Sequence, residues 1–153
     1  MGQRLIGNKK GAAMVELAII LPILLLVLFG IIEFSLIMYN KAVITNASRE
    51  GARTGIVYRA NATTGAYEPY DVPYIEGVVN TYLDNGNRLI PPGLPTITVT
   101  VNAASSPCIQ AVPPAPNFSL RVLVTYSYNF LVLPVTWFTG PVNLAGETIM
   151  RCE

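Results

Sequence analysis

Hydrophobic and polar positions divide the chain into three regimes. Residues 17–32 (LAIILPILLLVLFGII) carry no charge at all. As a helix rising about 1.5 Å per residue they cover roughly 24 Å. Glu33 interrupts the run, and FSLIMY resumes it as far as Tyr39. Extended to Tyr39, the helix reaches roughly 34 Å, enough to cross a hydrocarbon core of about 30 Å. Residues 40–56 (NKAVITNASREGARTGI) continue the helix on a different pattern. Ala42, Val43, Ile44 and Ala47 form a small apolar face, and Lys41, Arg49, Glu50 and Arg53 take the remainder. Glu50 can pair locally with a neighbouring basic side chain, and this polar face reads as solvated surface rather than as contact with a partner subunit. Gly51 and Gly55 weaken the helix and predict a stop near Gly55.

Beyond Gly55 the period changes. Residues 57–71 read as loop. Asp71 is placed to cap a short helix with Pro73 in its first turn. Ile75, Val78, Val79, Tyr82 and Leu83 recur at helical spacing and should face a sheet. Asn85-Gly86 ends that helix. Thr96–Val101 alternates strictly, Ile97, Val99 and Val101 against three threonines. A proline-rich loop follows. Residues 120–128 alternate again, with Leu120, Val122, Val124, Tyr126 and Tyr128 on one face. Residues 130–138 are apolar around Pro134 and read as an edge, a turn or a contact surface. Residues 147–152 form a last strand. The predicted class is α+β: a long N-terminal transmembrane helix continues into a small exported domain with a short helix and a roughly three-stranded antiparallel sheet. The expected segments are a basic cytoplasmic leader (1–11), a transmembrane helix (12–39), a helix extension (40–56) and an exported α+β domain (57–153).

Charge orients this scheme. Charged residues are only 12% of the chain and apolar ones 52%, against roughly 25% charged in an average soluble domain. The net charge of +1 gives no reason to expect a nucleic-acid partner. Arg4, Lys9 and Lys10 precede the apolar run with no acid among them. The positive-inside rule keeps that end in the cytoplasm and sends the rest across the membrane. No small-x-small cleavage site directly follows the apolar run, so the anchor is expected to stay attached. Glu33 is then expected near the outer interface, with Tyr39 as a headgroup-level anchor, in preference to being paired inside a bundle. Pro22 inside the run deletes a helix hydrogen bond and predicts a kink or a loosened turn.

The chain has no histidine, which removes the usual general base and the commonest zinc ligand. No glycine-rich phosphate loop or acidic calcium motif occurs. No catalytic residue, metal or cofactor is expected. Cys108 and Cys152 fall in the exported part, one after the first strand of the sheet and one ending the last. In an oxidising compartment an even count favours a disulfide over two separate buried thiols.

Glu16 is the residue that needs explaining, because an acid at the head of a lipid-soluble helix resists insertion. Hydration at the cytoplasmic interface is one reading. The order of residues offers another: a basic pair, Gly11, then Ala12-Ala13-Met14-Val15, then Glu16 and the apolar helix. This resembles the processing site of type IV pilin-like precursors. With NASREGARTG downstream, residues 7–56 resemble the TadE/TadG-like branch of that superfamily, minor pseudopilins of tight-adherence pili. The matching positions are Gly11, Ala13, Val15, Glu16, Ala18, Pro22, Gly30 and the Arg49-Glu50-Gly51-Ala52-Arg53 stretch. The resemblance implies cleavage between Gly11 and Ala12 by a prepilin-type peptidase at the cytoplasmic face, leaving Glu16 as fifth residue. It implies a single-pass protein of a bacterial inner membrane with its C-terminal domain periplasmic or extracellular, partnered by other pilin or pseudopilin subunits. Physically, cleavage creates a positive α-amine on a helix N-terminus that is already positive. Glu16 of an adjacent subunit can answer that charge and fix register. The competing reading is an uncleaved membrane-anchored binding module that uses Trp137 and the FLVLPVTWF patch. A membrane enzyme is more remote.

Overall fold

The structure is a computed structural model that describes residues 9–60, 65, 67–101, 119–131 and 140–152. Helix α1 (Lys9–Gly55) runs unbroken through Pro22. Hydroxyls inside it bond back to the preceding turn, Ser35 Oγ to the Ile31 carbonyl at 2.8 Å and Thr45 Oγ1 to the Lys41 carbonyl at 2.7 Å. These bonds satisfy polar side chains without breaking the helix. The helix ends at Gly55, where the pattern predicts a stop.

Two short strands follow, β1 (Tyr58–Ala60) and β2 (Tyr67–Pro69), paired antiparallel. Their segment reads as loop in the sequence, because three residues are too few to display a period. Helix α2 (Val72–Tyr82) starts after Asp71 with proline in its first turn. The Asp71 side chain makes no capping hydrogen bond, contrary to expectation; the backbone carbonyl of Asp71 instead accepts from Tyr74 and Ile75 at 3.1 and 3.2 Å. The stop after α2 is built as Asn-Gly predicts: a 3₁₀ turn, Asp84–Gly86, with Asn85 at φ 51° and Gly86 at φ 90°. The left-handed region suits those two residue types.

The sheet has the order β3-β4-β5 and is antiparallel throughout. Strand β3 (Thr96–Val101) and β4 (Ser119–Tyr128) lie where the alternation puts them. Strand β5 (Val142–Arg151) begins earlier than expected. Its first half, Val142-Asn143-Leu144-Ala145-Gly146, has weak strand propensity and is held by pairing with β4, from Tyr128 opposite Val142 to Val124 opposite Gly146. Leu120, Val122, Val124, Tyr126 and Tyr128 all point into the core. Arg121 and Glu147 pair across the other face at 2.7 Å.

The upper part of α1 packs across β4 and β5, and α2 packs mainly on α1 rather than on the sheet, touching β3. Close approach here depends on missing side chains. A Cβ on Gly51 would fall 2.5 Å from Val79 Cγ2, and one on Gly55 would fall 2.3 Å from Leu120 Cδ2. A Cβ on Gly146 would fall 2.7 Å from the backbone of Ile44. The helical glycines that read as breakers therefore also let α2 and the sheet reach the helix. Burying Ile44, Ile75, Leu83, Leu89 and the β4 face contributes on the order of 1.5–3 kcal/mol per large side chain.

Candidate functional site

Helix α1 has a bare half and a clad half. Residues 12–29 are all exposed, Met14 by 73% and Leu26 by 65%. The helix is long and apolar enough to cross a membrane, with an 18-residue window of mean hydropathy 2.9, none of it buried. Gly11, Ala12, Glu16 and Pro22 all lie on this half. Ala12 and Glu16 stand one turn apart, so they share a face. Glu16 is exposed and has no partner among the described residues.

Cover begins abruptly at Glu33, which is 2% exposed. Its carboxylate accepts the Tyr128 hydroxyl proton in a buried hydrogen bond and the Leu131 backbone N–H at 3.0 Å. Glu33 is thus not left open at the helix surface: the folded domain closes over it. The end of β4 and the residues just past it supply two donors, and an ionised carboxylate accepts such bonds more strongly than a neutral group would. Burial, with this hydrogen bond and the Glu33 charge, pushes the Tyr128 hydroxyl well above its ordinary range.

Higher on the same face, Asn40 is fully buried. Its amide donates to the Ile90 carbonyl at 2.6 Å and accepts from the Ile90 N–H at 2.9 Å. That two-way bond fastens the helix to the segment leading into β3. Lys41 donates to the Ala145 carbonyl, and Ser48 Oγ meets Thr148 Oγ1 at 2.7 Å. Glu33, Ile37, Asn40, Ile44, Ala47, Ser48, Gly51 and Gly55 thus form one stripe along the helix, covered by the sheet, by α2 and by the segment before β3. Ile44 and Ala47 belong to the apolar face read from the sequence, and both are buried; Glu33, Asn40 and Ser48 are too polar to be read as its continuation. Glu50, which the sequence lets pair locally, makes no ion pair among the described residues.

Other candidate positions are less constrained. Cys152 packs partly buried against the core and is not a free thiol. Cys108, Trp137 and most of FLVLPVTWF lie outside the described residues. An open groove of about 610 Å³ runs between Glu50 on α1 and Tyr74, Val78 and Tyr82 on α2. It gathers no set of acid, base and nucleophile. Among the described residues no group of three His, Cys, Asp or Glu is placed to hold a metal ion.

The sequence model of one protein family, described as TadE-like protein, matches residues 11–53. That segment spans the bare half of α1 and nearly all of its clad half. No curated protein and no solved structure matches the chain.

Proposed function

We propose, for a chain that belongs to the TadE-like protein family by its N-terminal segment, the role of a minor pseudopilin in a Tad pilus system. Residues 12–32 anchor it in a bacterial inner membrane, with the leader in the cytoplasm and the domain on the far side. A prepilin-type peptidase cuts between Gly11 and Ala12, and Glu16 receives the new α-amine of an adjacent pilin-like subunit. The observation that carries this reading is the bare helix itself. It is apolar on every side except at Glu16, and the chain offers Glu16 nothing to bind among the described residues. An unanswered acid in a low-dielectric setting is costly, so a partner of opposite charge is what the arrangement calls for. Pro22, one and a half turns further on, loosens the helix between that contact and the domain.

On the outer side, Cys152 ends the sheet at the same end as the connection that carries Cys108, because β3 and β5 run in the same direction beside β4. A Cys108–Cys152 disulfide would tie that connection to the last strand. The family's proteins are structural rather than enzymatic, and the proposed role needs no cofactor.

Intact mass measured on protein from its own host tests the reading. The expected product lacks residues 1–11, and Gly11→Val abolishes the cut. Glu16→Ala is expected to insert and be cut normally yet lose co-purification with other pilin-like subunits. A native chain that retains its first eleven residues removes the peptidase from the scheme, and undiminished co-purification of Glu16→Ala removes the proposed contact.

A further inference from the structure

The clad half of α1 starts at a definite height, and that height says where the domain sits. The bare residues 12–32 span roughly 31 Å as a helix, close to the hydrocarbon thickness of a bilayer. The next residue, Glu33, is buried under Tyr128 and bonded to the Leu131 N–H at 3.0 Å. No length of exposed polar helix separates the anchor from the domain. The lower end of β4 and the start of β5, where Val142 pairs with Tyr128, therefore lie level with the point at which the helix leaves the lipid.

The side chains at that level are apolar and open: Phe34 is 62% exposed, Leu131 57% and Val142 36%. Glu33 apart, which is buried, the hairpin brings no charge to that level. Residues 122–146 contain no Asp, Glu, Lys or Arg, while Arg121, Glu147 and Arg151 stand toward the opposite end of the same hairpin. A hairpin facing water along its whole length has no reason to keep one end free of charge. An end resting among lipid headgroups does, since burying apolar surface at the interface is favourable and burying charge is not.

We infer that the base of the domain, formed by Phe34, Leu131 and Val142, rests in the headgroup layer, giving the chain a second membrane contact beside its helix. This rests on the anchoring role proposed above for residues 12–32. The contact fixes the domain upright on the bilayer before any partner engages it.

Tryptophan fluorescence on the full chain in phosphatidylcholine–phosphatidylglycerol vesicles, with and without lipids brominated on the acyl chain near the headgroup, is the test. In a Trp137→Phe background, single reporters are placed by Leu131→Trp, Ile149→Trp and Val27→Trp, each checked for native circular dichroism. Ile149 is 60% exposed near the far end of β5. The expected result is loss of emission on bromination at positions 131 and 27, with position 149 unchanged. Should position 27 be quenched and position 131 behave like 149, the domain stands clear of the lipid and the inference falls while the anchor survives. Quenching at 149 as well means a domain lying flat, and overturns it too. Emission at 131 that ignores bromination but shifts when protein is diluted in the vesicles gives the surface to a neighbouring chain, against the inference. Absence of quenching at position 27 removes the anchor itself and the inference with it.

Discussion

At the scale of single residues, the domain rests on groups tolerated only because their partners are in place. Tyr126 is 4% exposed and Tyr128 fully buried. The Tyr126 hydroxyl donates to the Pro91 carbonyl, and that of Tyr128 donates to Glu33. Burial raises both hydroxyls above their ordinary value of 10.0, and the Glu33 carboxylate raises Tyr128 further. In the unfolded chain both ionise near pH 10, while the fold holds them protonated. Their contribution to stability is therefore complete below about pH 10 and is lost as pH rises beyond it. Urea midpoints of the detergent-solubilised chain should be level from about pH 8 to about pH 9.5 and fall toward about pH 11. Tyr126→Phe should make that fall shallower. A midpoint that stays level to the alkaline limit contradicts the sign. Gly146 is the tightest residue-level fit: its missing Cβ would sit 2.7 Å from the Ile44 carbonyl carbon and oxygen, which are backbone and cannot rotate away. Gly146→Ala should cost about 1–3 kcal/mol in unfolding free energy. Gly30→Ala, where nothing lies within 4 Å, should cost nothing by that route.

At the scale of elements, α1 shows how far a pattern can be read. Its length and its end at Gly55 follow from the apolar run and the glycines, and β3 and β4 follow from strict alternation. The stripe that receives the sheet was legible only at Ile44 and Ala47, because Glu33, Asn40 and Ser48 look like surface residues until Tyr128, Ile90 and Thr148 are brought to them from 50 to 100 residues away. Side-chain type signals burial only when the side chain is apolar; a polar group is buried on the strength of a partner, and partners are a property of the fold. The same limit explains β5. Gly146 argues against a strand locally, yet the strand continues through it because the helix backbone needs the space. Asn40 gives the element-scale test. Asn40→Ala strands the N–H and carbonyl of Ile90, and should destabilise the domain by about 2–3 kcal/mol, read as a lower denaturant midpoint. Asn40→Asp keeps an acceptor for the Ile90 N–H but sets a buried carboxylate oxygen against the Ile90 carbonyl, and should destabilise at least as much as Asn40→Ala.

At the scale of the molecule, the α+β arrangement was legible, and the candidate N-terminal positions all fall on one uninterrupted helix. The point where the sheet begins to cover the helix was not, since composition alone runs the apolar segment on to Tyr39. Folding draws the line at Glu33 instead, where Leu36 and Ile37 turn to the core. The proposed Cys108–Cys152 bond belongs to this scale because it closes the far end of the sheet. Cys152→Ser should lower stability by roughly 3–4 kcal/mol, and reducing agent should shift the parent chain's thermal midpoint but not the variant's. Finally, a rod that is stripped below Glu33 and locked to the sheet above it at Glu33, Asn40, Lys41 and Ser48 has no swivel between its two parts. Whatever sets the azimuth of the lower rod sets the compass bearing of the domain. One extra residue inserted below Glu33 would turn the domain by about 100° and lift it by about 1.5 Å, changing which side it shows to the outside without altering any contact within it.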